Sequence, residues 1–115
     1  MGAACLLAGS STAYAQDSGY AFAGTFNTDG QTVYISNRVQ PVTNNPYRNT
    51  QAERDLKEAF TRAVRQQTGT EEYKLHGQFL GPPGRRADSG DSEDARLSMI
   101  EQWRRDGKQV VVIHW

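Results

Sequence analysis

The sequence predicts an α/β (α+β) domain, a two-layer sandwich with a mixed four-stranded sheet and two helices in the order β-β-α-β-α-β. Three observations carry that prediction. Residues 20–39 alternate apolar and small or polar side chains about Asp29-Gly30, residues 52–64 repeat apolar side chains every three or four positions, and two further apolar strands flank a second helical stripe.

In the first stretch Tyr20, Phe22, Gly24 and Phe26 alternate on the way out, and Val33, Ile35 and Val39 on the way back. With Asp29 and Gly30 as a two-residue type I′ turn, Phe26 faces Val33, Gly24 faces Ile35 and Tyr20 faces Val39. Residues 40–49 carry Pro41, Pro46 and three asparagines and read as a loop. Thr50-Gln51-Ala52-Glu53 then has the form of a capping box. Ala52, Leu56, Ala59, Phe60, Ala63 and Val64 follow as one helical stripe, and Gly69 is placed to stop the helix.

Tyr73, Leu75, Gly77 and Phe79 alternate with Lys74, His76 and Gln78, which predicts a strand over 73–80 with one buried face, ended by Gly81-Pro82-Pro83-Gly84. Asp91 or Ser92 is placed to cap the second helix, whose inner face is Ala95, Met99, Ile100 and Trp103, with Leu97 off the stripe and Gly107 at the end. Val110 to Ile113 is apolar throughout, the pattern of an interior strand covered on both faces. The two strand-helix-strand connections make the last three predicted strands parallel, and both helices are expected on one face of the sheet. A three-layer arrangement is the alternative, because the last strand is apolar on both sides.

Domain organisation follows from the N-terminus. Residues 1–15 read as a secretory signal segment: a short uncharged apolar run, three hydroxyl residues, then Ala13-Tyr14-Ala15 before Gln16, the small-x-small pattern that signal peptidase accepts. Cys5 falls in the removed run, with Leu6 and Leu7 on the wrong side of it for a lipoprotein anchor. Residues 16–115 then form a single small α/β domain, exported to a periplasm or beyond, that contains no cysteine. Thiol catalysis and cysteine-based metal sites are excluded from that part. All 13 basic and 13 acidic residues lie there and balance to zero, which argues against nucleic acid or an anionic membrane as partner. No stretch has the length and apolarity of a membrane span.

Chemistry has few footholds. His76 and His114 supply at most two imidazoles, with no carboxylate at diagnostic spacing, so no metal and no cofactor is expected. No Gly-x-Ser-x-Gly elbow is present. Asp88 to Asp94 lacks the alternating oxygen ligands and distal glutamate of a calcium loop, and helix capping accounts for Asp91 to Asp94. Glu53, Asp55 and Glu58 interleave with Arg54, Lys57, Arg62 and Arg65 on the first helix, the pattern of a solvated mixed face. The prolines at 82 and 83 remove amides that a phosphate cradle would need, which leaves Arg85 and Arg86 as arginines on a surface loop. They are the first candidates for contacting a partner. The second set is Asn44, Asn45, Tyr47 and Arg48. The sequence therefore points to a non-catalytic binding or accessory domain of a bacterial envelope or secreted compartment, with another envelope or extracellular protein as partner. Its rivals are a small periplasmic hydrolase using a histidine with a carboxylate, and a structural domain that pairs through the hairpin edge at Tyr20–Phe26.

Overall fold

Turn chemistry at Asp29 and Gly30 sets the register of the first hairpin. The Asp29 carboxylate accepts the backbone N–H groups of Gln31 (2.7 Å) and Thr32 (3.0 Å), and the Gly30 N–H donates to the Asn27 carbonyl. These bonds, the Gln31 N–H first and then that of Thr32, hold the Asp29 carboxyl below its ordinary range. Gly30 alone has positive φ (+73°) here and Asp29 does not, so the loop is not the expected type I′ turn, which needs both. The expected pairing nevertheless forms, with Gly24 opposite Ile35, Thr25 opposite Tyr34 and Phe26 opposite Val33.

The computed structural model describes residues 18–43, 51–82 and 88–115; the predicted signal segment lies outside them. In chain order the elements are β1 (Ser18–Asn27), β2 (Thr32–Ser36), β3 (Gln40–Thr43), α1 (Gln51–Thr68), a 3-10 turn (Glu72–Lys74), β4 (Leu75–Gly81), α2 (Ser89–Arg105) and β5 (Gln109–Ile113). The class is α+β with a mixed sheet and two helices, as expected, and the sheet has a fifth strand. That strand is β3, formed by the first residues of the predicted 40–49 loop. It pairs with the start of β1, and Tyr20 faces Pro41 rather than Val39. The two-residue slip arises where Ser36 Oγ accepts the Ala23 N–H and donates to the Arg38 carbonyl, taking residues 37–39 out of the ladder.

β1 is the hub of the sheet. It runs antiparallel to β2, β3 and β4, and β5 joins β2 in parallel, with Val33 beside Val110 and Ile35 beside Val112. The strands expected to be parallel therefore do share one direction, but β1 separates β4 from β2. Gly24 and Phe26 pair with both β2 and β4, so that part of the hairpin is not a free edge, whereas Tyr20 and Ala21 pair with β3 alone.

Alternation along β1 sends Ala21 and Ala23 to one face and Phe22 to the other. The first face is covered by α1, through Leu56, Phe60, Ala63 and Val64, with Tyr34, Leu75, Leu80 and Ile113 from the sheet. The second is covered by α2, through Ala95, Met99, Ile100 and Trp103, with Ile35, Phe79 and Val110. The helices thus divide between the faces, and the expected two-layer sandwich gives way to three layers. β5 supplies both cores, with Val111 and Ile113 toward α1 and Val110 toward α2, which is why its sequence shows no polar alternation.

β4 contains the second departure. Gly77, at φ +66°, forms a bulge with Gln78 opposite Thr25, and the Thr25 hydroxyl donates to the His76 carbonyl. The extra residue reverses the alternation beyond it, so Leu75 and Leu80 share the α1 face while Phe79 reaches the α2 face. Tyr73 precedes the strand and is 73% exposed. Across β1 and β4, Phe22 faces Gly81 and Gly24 faces Phe79, so each ring lies over a glycine. At the start of α2 the cap is Asp88, whose carboxylate accepts the Asp91 N–H, three residues before the expected position. Ser92 is buried instead and donates to the Tyr20 carbonyl at 2.7 Å.

Candidate functional site

Arg85, Arg86, Asn44, Asn45, Tyr47 and Arg48, the residues the sequence put forward for partner contact, all lie outside the described residues. The two histidines do not. His76 on β4 rests against the Phe26 ring, 6.0 Å between centroids, and His114 follows β5. In the order β4-β1-β2-β5 their strands are three spacings apart, roughly 14 Å, so the imidazoles cannot share a ligand. Among the described residues no group of three histidines, acidic residues or cysteines could hold a metal ion. No helix among them is long and apolar enough to cross a membrane.

A buried polar node lies where α2 crosses β2. Arg96 is 7% exposed, and its guanidinium donates to the Ser36 carbonyl (2.9 Å) and, through two nitrogens, to both oxygens of Glu93 (2.9 and 2.6 Å). The bond from Arg96 lowers the Glu93 pKa. Arg96 engages both partners, so the node fastens α2 to the sheet, with the Glu93 side chain still 37% exposed at its margin.

An open cleft runs between the outer face of α1 and β4. It measures about 630 Å³ and is lined by Arg54, Lys57, Glu58, Thr61, Arg62 and Arg65 from α1, with Glu72 and Gln78 opposite. The helical residues fall at successive spacings of three, one, three, one and three, a continuous stripe on one side of the helix. Four of the six are basic, whereas two of the eight lining residues are acidic. Arg65 pairs with Glu72 at 3.3 Å, with both side chains about half or more exposed, a contact of little energetic weight. Arg54 donates to Gln51. Among the described residues no ion pair engages Lys57 or Arg62.

No family model matches this chain, and neither a curated protein nor a solved structure does so.

The cleft was hidden in the sequence by composition. Acidic and basic residues interleave along 53–65, three against four, and nearly cancel when summed. Glu53, however, is buried, and Asp55 turns to the side of the helix facing β3, so the cleft wall retains the positive charge. Sorting those charges by helical angle rather than by sequence window was the available signal.

Proposed function

We infer that this chain is a small binding or accessory domain that holds an acidic segment of another protein along the α1–β4 cleft. The supporting observation is the cleft's cationic wall, in which Lys57 and Arg62 have no ion-pair partner among the described residues. Guanidinium and ammonium groups with open coordination favour carboxylates, and an open trough suits an extended chain better than an enclosed small molecule. With Ala13-Tyr14-Ala15 before Gln16, the reading extends to an exported domain whose partner is an envelope or extracellular protein. Gln78 and Thr61 add neutral hydrogen-bonding groups at the trough, which would fix the register of a bound segment.

The test compares capture by the wild-type chain and by Lys57→Glu with Arg62→Glu, from envelope extracts of the source cell. Both positions point to solvent or its margin, so the variant should keep the wild-type melting temperature. The expected result is a protein retained by the wild type at low ionic strength, lost from the variant, and released by about 0.5 M salt. Equal retention by both, or nothing retained beyond a tag-only control, overturns the proposal. Intact-mass analysis of exported protein should show a chain beginning at Gln16.

A further inference from the structure

Among the described residues, strand β5 is one end of the sheet, paired with β2 alone. In its parallel ladder with β2, Gln109 donates to the Gln31 carbonyl and the Ile113 carbonyl accepts from Asn37, so the odd-numbered residues direct their backbone groups at β2. The even-numbered residues direct theirs away. His114 spends its pair on one side chain: its N–H donates to Gln67 Oε1 (2.9 Å) and its carbonyl accepts from Gln67 Nε2 (2.7 Å). Val110 and Val112 are left with two N–H and two C=O groups for which the described residues provide no partner. Val112 is 46% exposed.

Two of the outer strands of this sheet, β4 and β5, are treated differently. β4 carries the Gly77 bulge and presents His76 and Gln78, devices that discourage further pairing. β5 is regular over Gln109–Ile113 and contains neither charge, proline nor bulge. An edge of that kind is a template for another strand.

We propose that a second copy of this chain occupies it, the two β5 strands running antiparallel about a two-fold axis through Val111. Three observations favour a like chain. Val110 and Val112 are two residues apart, so rotation about Val111 sets each valine opposite the other copy's other valine, and all four groups are used reciprocally in four N–H···O=C bonds. The facing side chains are then valine on valine, a favoured cross-strand pair. The chain also has zero net charge, and the segment that meets is uncharged, so no like-charge repulsion opposes the approach. The Gln67–His114 clip ends the new ladder on each side and limits it to this short match. The two sheets become one, continuous across the axis. This pairing is independent of the α1–β4 cleft.

Sedimentation velocity across roughly 1 µM to 1 mM, with hydrogen exchange at both ends of that range, tests it. A monomer–dimer equilibrium is expected, with the Val110 and Val112 amides protected only at the concentrated end. Val112→Pro removes one donor from each copy and should weaken the dimer about tenfold or more. Val112→Lys, which keeps the backbone and alters only an exposed side chain, serves if the proline variant does not fold, and should weaken it in the same direction. A wild type that stays monomeric up to 1 mM overturns the proposal. So do folded variants that dimerise as tightly as the wild type, and amides at 110 and 112 that are protected equally at every concentration, which would mean that the chain covers its own edge.

Discussion

Replacing Gly24 with alanine places a methyl group where the Phe79 ring already lies. The new Cβ would fall 2.5, 2.7 and 2.9 Å from three ring carbons, against about 3.5–4.0 Å for carbon atoms in good contact. The ring must retreat by around 1 Å, and it has little room, with Phe22, Phe26 and Trp103 at centroid distances of 6.3, 5.8 and 6.3 Å. Overpacking of this kind costs ~1–3 kcal/mol. Restricting the unfolded chain by exchanging glycine for alanine returns ~0.4–1 kcal/mol, so a net loss of about 1–2 kcal/mol is expected. Phe79→Ala alone should cost about 2–3 kcal/mol, below the range for a fully buried ring because Phe79 is half-buried. With the ring gone, Gly24→Ala meets nothing and should be neutral or slightly stabilising. Urea unfolding followed by circular dichroism would resolve the cycle, since 1 kcal/mol moves the midpoint by roughly 0.5–1 M at the slopes usual for a small domain. A cost for Gly24→Ala that is the same with and without the Phe79 ring, to within about 0.5 kcal/mol, would refute the reasoning.

Gly77 gives a backbone counterpart. Its φ of +66° should make Gly77→Ala lose ~1–2 kcal/mol, a drop of about 5–15 °C in melting temperature, and Gly77→Asn should lose less because asparagine enters that region more readily; an alanine variant as stable as the wild type would contradict the bulge. Glu93 predicts a pH signature. Because Arg96 lowers its pKa in the folded state, its contribution is complete above the ordinary value of 4.5 and is lost as pH falls through the lower folded value. Glu93→Gln should therefore melt a few degrees below the wild type near pH 7, with the gap closing below pH 4.5; a gap that does not change with pH would remove the charge from the account.

What the sequence disclosed depended on how local the cause was. The stripe Leu56, Phe60, Ala63, Val64 and the pairing of Phe26 with Val33 were legible because helical and strand periodicity acts over a few residues. Ser36 was not legible as the point where the hairpin slips, because its hydroxyl acts on Ala23, 13 residues away. Nor was the split of the helices between two faces, although an uninterrupted Val110–Ile113 carried the hint. That run indicates two covered faces and says nothing of edges: β5 lies between two helices and still closes the sheet. Alternation over 73–80 misassigned Phe79 because a single glycine with positive φ changes which side every later residue faces. For the candidate site, the cationic wall emerged only when Glu53 and Asp55 were seen to leave it.

The parallel pairing of β2 with β5 also sets an order of events. The β1–β2 hairpin can close within microseconds of both strands being available, through a loop of four residues. Thr32 meets Gln109, 77 residues further along the chain, only after α2 has folded back across the sheet. Emerging N-terminus first, from ribosome or translocon, the chain holds β2 with one side open until β5 follows, several seconds at the roughly 5–20 residues per second of synthesis. The hairpin, finished first, is for that interval the surface most able to recruit a wrong strand. A nascent chain halted before residue 109 should bind holdase chaperones through β2, and release should coincide with the arrival of Val110 to Ile113.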